Sequence, residues 1–137
     1  MNYAELTDDE LRLEVARRCG KRLELDRSGR FWLECLPDGT RRVLPYYCTD
    51  LAAAIALLDG MTYPDGVSVE YNIGKETRYS GGNLLPPGCI VYVVTIWGHN
   101  PIHCDDYEAT ADTLPRAACV AWLMWDDARK EAQHDNS

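Results

Sequence analysis

Apolar residues near the N-terminus recur at a helical interval. Three of them are spaced four apart: Leu11, Val15 and Cys19. Thr7 precedes them and Glu10 follows three positions later, which is the spacing of a capping box at a helix start. Gly20 then stands where helices commonly end. The pattern predicts an amphipathic helix from Asp8 to Cys19.

Two short runs of alternating residues follow, RLEL and RFWLECL, within residues 21–42. They are separated by DRSG and closed by PDGT, both of which have the composition of turns. The period of two predicts a β-hairpin. In the second run the alternation predicts that Phe31, Leu33 and Cys35 face the core and that Trp32 is partly exposed.

The central segment LPYYCTDLAAAIALL runs from Leu44 to Leu58 and passes from an extended stretch into an apolar helix. Thr49 or Asp50 has the residue type of an N-cap. Every position from Leu51 to Leu58 is apolar, so the segment predicts a helix that is covered on several faces.

Three further strands are predicted in the second half of the chain. VSVEYNI from Val67 to Ile73 has period two, Ile90 to Trp97 is a strand of β-branched and aromatic residues, and HCDDYEAT (residues 103–110) is a weaker third. The Gly- and Pro-rich segment from Gly74 to Gly88 is a connection of a length that compact domains rarely have without a function. Hairpin connections favour antiparallel pairing.

The last predicted helix begins at Asp112 or Thr113. Four of its residues form one seam: Ala117, Ala121, Met124 and Ala128. Trp122 and Trp125 flank this seam, and the helix is apolar enough that we expect part of it in a homo-oligomer interface. Residues 131–137 are predicted to be a frayed tail.

These elements predict an α+β class of fold. With 137 residues, 46% of them apolar, the chain fits a single domain, residues 1–137, with a sizeable core. We expect a sandwich of one small, mainly antiparallel sheet of about five strands with three helices packed on it. No apolar run approaches the length of a membrane span, and the polar N-terminus is unlike a signal peptide. The sequence therefore predicts a cytoplasmic protein without a membrane partner.

The net charge of −8 is unevenly distributed. Residues 1–45 are neutral, whereas residues 46–137 contain 5 Lys/Arg and 13 Asp/Glu. Binding to a nucleic-acid backbone needs clustered cations, so general nucleic-acid binding is disfavoured. The charge favours either a solvated acidic surface or contact with a basic partner.

Six cysteines are scattered without a CxxC pair, as Cys19, Cys35, Cys48, Cys89, Cys104 and Cys119. This spacing is typical of small buried hydrophobic residues in a reducing compartment, and it fits neither a zinc knuckle nor a disulfide framework.

The order of these elements resembles the phage ABA-sandwich domain family, small proteins of bacteriophages and prophages. The resemblance rests on TDDELRLEVARRCG, LPYYCTDLAAA and DTLPRAACVAWL, and it covers most of the chain. It implies helices packed against a small sheet and a phage-encoded accessory protein acting in the cytoplasm of the bacterial host. The family brings no agreed activity and no catalytic residues.

Candidate chemistry is sparse. Potential metal ligands cluster within eight residues: His99, His103, Cys104, Asp105 and Asp106. Neighbouring strand residues point to opposite faces, so we predict no metal site there. Ser28 and Ser80 lack the strand-to-helix context of a catalytic serine. The paired carboxylates of the chain are expected to be solvated, and we predict no enzymatic activity and no cofactor.

One candidate ligand site lies in the connection from Gly74 to Gly88. Cations, an aromatic ring and glycine amides stand close together there: Lys75, Arg78, Tyr79, Gly81, Gly82 and Asn83. Such groups can hold a phosphate and stack on a base, although the segment is not a P-loop. This pattern supports the hypothesis of a binder that sequesters a nucleotide signal of host defence.

The competing hypothesis is an inhibitor that binds a host defence protein, as an anti-CRISPR protein does. Its contact surface would consist of acidic and aromatic residues: Asp105, Asp106, Glu108, Asp126, Asp127 and Trp125. The acidic second half of the chain and the resemblance to phage proteins favour this hypothesis, which we take as the main one. An uncharacterised enzyme is the second alternative.

Overall fold

Helices and antiparallel sheets alternate along the chain in a computed structural model. The residues that the structure describes are 2–62, 66, 68–80, 82–97 and 107–135. No helix within these ranges is long and apolar enough to cross a membrane.

The first helix, α1 (Asp8–Arg18), confirms the predicted capping box. Thr7 accepts a hydrogen bond from the Glu10 amide, and the Glu10 carboxylate accepts one from the Thr7 amide. A short 3₁₀ helix, Tyr3–Glu5, precedes it. The reciprocal bonds satisfy two amides that have no partner within the helix, which fixes where α1 begins.

Three strands form the first sheet: β1 (Arg22–Leu25), β2 (Trp32–Cys35) and β3 (Arg41–Val43). They pair antiparallel in the order β1-β2-β3, so the predicted hairpin is confirmed.

The predicted inward face of β2 is wrong. Phe31 is 50% exposed and Glu34 is buried, whereas Trp32 is partly exposed, as predicted, and packs against the core. The alternation is present, but the inward face is the one that carries Glu34, because Lys21 and Arg42 neutralise its charge. Leu33 and Cys35 lie on the opposite face, where both are partly exposed.

The second helix, α2 (Leu51–Asp59), begins after Asp50, whose side chain accepts a hydrogen bond from the Ala52 amide. It is covered on one side only, which differs from the prediction. Ala54 and Leu58 are fully buried, whereas Leu51 is 48% exposed.

In the described part of the chain, five more strands follow α2. In chain order they are β4 (Tyr71–Glu76), β5 (Tyr79–Ser80), β6 (Asn83–Leu84), β7 (Val91–Ile96) and β8 (Tyr107–Ala111). A second three-stranded antiparallel sheet has the order β4-β7-β8, while β5 and β6 form a separate hairpin. The predicted strand 67–73 is displaced to Tyr71–Glu76, and the predicted connection 74–88 contains the end of β4 and the hairpin. Residues 103–106 of the predicted fifth strand lie outside the described ranges.

The last helix, α3 (Leu114–Asp135), lies at the centre of the molecule. It packs on β7 and β8 and also contacts α1 and α2. Every residue from Ala117 to Leu123 is buried, so the helix is covered on all sides there and not only along the predicted seam. The helix continues to Asp135, through most of the predicted tail.

The α+β class is confirmed. The strands form two three-stranded sheets and a hairpin instead of the expected single sheet of about five. The core lies between the second sheet and the helices, and the first sheet adds Leu23 and Trp32 to its edge.

Candidate functional site

Arg18 joins α1 to α3. Its guanidinium donates to Glu14 at 2.8 Å, to Asp127 at 2.5 Å and, more weakly, to Asp126 at 3.3 Å. It also donates to the Tyr3 hydroxyl at 2.6 Å. Burial disfavours the charge of Arg18, but the bonds to Glu14 and Asp127 outweigh burial and raise its pKa.

Tyr3 attaches the 3₁₀ helix to this cluster. Its buried hydroxyl donates to Asp127 while accepting from Arg18. Burial, together with the bond to the Asp127 carboxylate, raises the pKa of Tyr3 to about 12. The N-terminal segment is thereby held against α3, and the two elements become the walls of a cleft.

Asp126, predicted as a partner-contact residue, is part of the interior. Its carboxylate is fully buried and lies 2.7 Å from Arg129 and 2.9 Å from Lys130. Burial raises its pKa, but the bonds to Lys130 and Arg129 more than compensate and lower it. Trp125 is also buried, because this side of α3 turns toward the protein.

An acidic cleft of about 510 Å³ lies between the 3₁₀ helix, β8 and α3. Its rim contains Glu108, Asp127 and Glu131, and none of its described lining residues is a cation. Glu108 and Asp127 were predicted as contact residues, and the structure brings these two together. Asp105 and Asp106 lie outside the described residues.

The floor of the acidic cleft is largely apolar, with Val120, Met124 and Ala128 on α3 and Ala109 on β8. Among the described strands β8 stands at the end of the order β4-β7-β8, so some backbone amides and carbonyls within Glu108 to Ala111 are directed away from β7. The cleft therefore offers carboxylates, an apolar floor and a strand edge, which together suit an extended segment with basic side chains.

The β5–β6 hairpin carries the two most exposed large apolar side chains in the described part of the chain. Tyr79 is 60% exposed and Leu84 is 73% exposed. They are paired across the strands and so lie on the same face. Gly82, with φ of +83°, provides the turn.

The predicted nucleotide-binding residues are only partly assembled by this hairpin. Lys75 and Arg78 are exposed next to Tyr79, and neither cation forms an ion pair with a described residue. Asn83 is paired with Ser80 across the strands, whereas Gly81 lies outside the described ranges. The acidic cleft does not include these residues, and neither does the groove described next.

A groove of about 740 Å³ runs from the end of α1 across the first sheet. At its edge Glu34 accepts from Lys21 at 3.0 Å and from Arg42 at 2.9 Å. Burial raises the pKa of Glu34, but these cations lower it overall. Two pairs of lining charges neutralise each other, Lys21 with Glu34 and Arg41 with Glu24 at 3.2 Å, whereas the exposed Arg22 forms no ion pair with a described residue.

The burial and pKa values of the cysteine thiols do not point to a particular reaction. Cys48 and Cys119 are buried as predicted, while Cys19 and Cys89 are exposed. Although Cys19 is exposed as a residue, partial burial around its Sγ raises the pKa of the thiol, which disfavours the nucleophilic thiolate. Within the described residues no three His, Cys, Asp or Glu side chains are arranged to hold a metal ion. His99, His103 and Cys104, which are potential metal ligands by residue type, lie outside the described residues.

Sequence reasoning missed several residues of these surfaces: Tyr3, Arg18, Glu131 and Leu84. Arg18 stands in the last turn of α1, where a cation is ordinarily read as a response to the helix dipole. The signal for Leu84 was available, because two leucines in a Gly-rich connection are unusual.

Comparisons with protein-family models, curated proteins and solved structures find no match for this chain. The resemblance to the phage ABA-sandwich family therefore stays a prediction.

Proposed function

We propose that this protein acts by binding another protein, and that the acidic cleft receives an extended basic segment of that partner. The observation that carries the proposal is the composition of the cleft. Apolar side chains line it together with three carboxylates, of which Asp127 is paired with Arg18 while Glu108 and Glu131 form no ion pair with a described residue, and no described lining residue is a cation. A basic segment with apolar side chains is complementary to it in charge and in polarity.

The bonding of Asp127 supports the same proposal. Arg18 and Tyr3 both donate to its carboxylate, so this side chain is already positioned before a partner binds. A preformed site loses less conformational entropy on binding, which raises the affinity obtained from a given contact area.

We further propose that the partner is a component of a host defence system and that the chain is a phage-encoded inhibitor. This identity rests on the resemblance to phage accessory proteins and on the acidic character of residues 46–137. Inhibition would follow from occupying a basic surface of the partner, with no chemical step.

A capture experiment tests this proposal. The purified protein is incubated with lysate from a defence-bearing bacterium, and retained proteins and nucleotides are identified by mass spectrometry. The test variant is Glu108→Gln with Glu131→Gln, which removes two rim charges without changing side-chain shape. The matched control is Asp9→Asn with Asp112→Asn, two exposed carboxylates outside the cleft.

We expect the wild type and the control to retain one stoichiometric protein partner and the cleft variant to lose it. Retention by all three proteins would contradict a role for the acidic cleft. A retained nucleotide without a protein would instead support the sequestration hypothesis. That ligand should then be lost in Lys75→Ala with Arg78→Ala.

A further inference from the structure

The hairpin segment contains cations, the acidic cleft contains carboxylates, and both surfaces include apolar side chains. The segment 74–88 contains two cations, both exposed, and a single acidic residue, Glu76, which is partly buried. The exposed apolar pair Tyr79 and Leu84 belongs to the same segment, and Arg78 directly precedes Tyr79 in the sequence. The cleft has the complementary set, with carboxylates at its rim and apolar side chains at its floor.

The other cations after residue 45 are already paired with carboxylates, which strengthens the contrast in charge between the hairpin and the cleft. The chain has five Lys/Arg after residue 45. Arg116 is paired with Asp8 at 2.7 Å, and Arg129 and Lys130 are both paired with Asp126. Within the described residues, Lys75 and Arg78 are therefore the cations of this half that remain available for a contact between molecules.

The exposed apolar pair also needs an explanation. Transfer of exposed apolar side-chain surface from water into a protein contact is favourable, roughly in proportion to the apolar area removed from water. Aromatic and arginine side chains together are the usual composition of an interface hot spot. A hairpin that presents Tyr79, Leu84 and Arg78 to solvent is therefore suited to insertion into a cleft.

We propose that the β5–β6 hairpin of one copy docks in the acidic cleft of a second copy. This inference rests on the proposed function in one respect, namely that the cleft is a receptor for basic segments. The two surfaces are different, so the contact is heterologous, and one hairpin and one cleft stay free unless the assembly closes. Because the contact is small, the association is weak and depends on concentration.

Self-association would therefore compete with the binding of a partner. The hairpin of a neighbouring copy and the basic segment of a partner would occupy the same cleft, so self-association lowers the fraction of clefts that are free. A partner with higher affinity would separate the copies as it binds.

Sedimentation equilibrium at protein concentrations from ~10 μM to ~1 mM tests the proposal, in a range suited to a weak contact. The hairpin variant is Tyr79→Ser with Leu84→Ser, and the cleft variant is Glu108→Gln with Glu131→Gln. The control is Leu25→Ser with Phe31→Ser, two apolar side chains of comparable exposure on the first sheet. Circular dichroism and thermal unfolding verify that each variant is folded.

We expect the wild type and the control to associate and both test variants to stay monomeric. A mixture of the hairpin variant and the cleft variant should form a one-to-one complex, because each supplies the surface that the other lacks. Association should weaken as salt is raised, since charges at the rim contribute to it. A monomeric wild type at every concentration would overturn the proposal, and so would a cleft variant that associates as strongly as the wild type.

Failure of this inference and failure of the proposed function are distinguishable. The hairpin variant retains an intact cleft, so its binding to a peptide of alternating Lys and Val residues measures the cleft alone. Peptide binding without self-association of the wild type refutes the docking of the hairpin and leaves the proposed function standing. Self-association through hairpin and cleft without peptide binding refutes the proposed function and supports the docking of the hairpin.

Discussion

Arg18 and Asp127 form an ion pair with 2.5 Å between Nη1 and Oδ1, although they lie 109 positions apart in the sequence. The pair connects the first helix with the last and places one carboxylate at the rim of the acidic cleft. Asp127 is thus both a structural partner of Arg18 and a contact residue, with 44% of its side chain exposed.

Replacement of Arg18 by methionine should destabilise the fold strongly. The substitution leaves Asp127 and the Tyr3 hydroxyl without their common donor, and because Arg18 is largely buried while Asp127 is 44% exposed, the loss should be about 2 kcal/mol. Urea unfolding followed by tryptophan fluorescence gives the change in the free energy of unfolding. Arg17→Met is the matched control, because the Arg17 side chain is 70% exposed in its pair with Glu14. Its effect should stay within about 0.5 kcal/mol. Equal losses for both variants would refute the structural role of Arg18.

Glu34 should contribute more to stability than its neighbour Glu24 on the same sheet. Glu34→Ala leaves Lys21 half enclosed without a counter-ion and should cost about 2 kcal/mol. Glu24→Ala removes only an exposed pair with Arg41, so a loss below about 1 kcal/mol is expected. Chemical denaturation of the two variants compares them directly, and the reverse order would show that β2 is turned the other way.

Stability should fall in acid. The pKa values of Asp126 and Glu34 lie below their ordinary values of 3.8 and 4.5 in the folded protein. Groups with lowered pKa values stabilise the fold fully above those ordinary values, and the contribution is lost as pH falls through the folded-state pKa. The free energy of unfolding should therefore be flat from pH 7 to about 5 and decrease below that. Asp126→Asn should make the acidic slope shallower, and an unchanged slope would show that Asp126 does not titrate in this range.

The cap of α1 can be tested separately. Thr7→Ala removes the acceptor for the Glu10 amide and should lower the free energy of unfolding by about 1 kcal/mol. Thr7→Ser retains the hydroxyl and should restore most of the loss. If serine were no better than alanine, the hydroxyl would not be the source of the stabilisation.

Local signals in the sequence predicted the elements well. Thr7 and Glu10 placed the start of α1 correctly because a capping box depends only on residues three positions apart. The alternation in RFWLECL found β2 but not its inward face. A charged residue is ordinarily placed outside, and the cations that neutralise Glu34 come from another strand and from the end of α1.

The candidate site was only partly predictable for a similar reason. Glu108 and Asp127 were chosen for their charge, and the structure places both at one cleft. Asp126 was chosen on the same grounds and is buried, because its position one residue earlier on α3 turns it toward Arg18 and the interior. Contacts between residues more than a hundred positions apart decide which of two adjacent carboxylates is exposed.

The most direct test of the central claim is the equilibrium binding of the Lys/Val peptide to the acidic cleft, followed by fluorescence anisotropy on the monomeric hairpin variant. We predict saturable binding of one peptide per chain that weakens as salt is raised. Adding Glu108→Gln and Glu131→Gln should weaken it about tenfold, while Asp9→Asn with Asp112→Asn should leave it nearly unchanged. An absence of binding, or an equal loss in both sets of variants, would contradict the claim that this cleft recognises a basic segment.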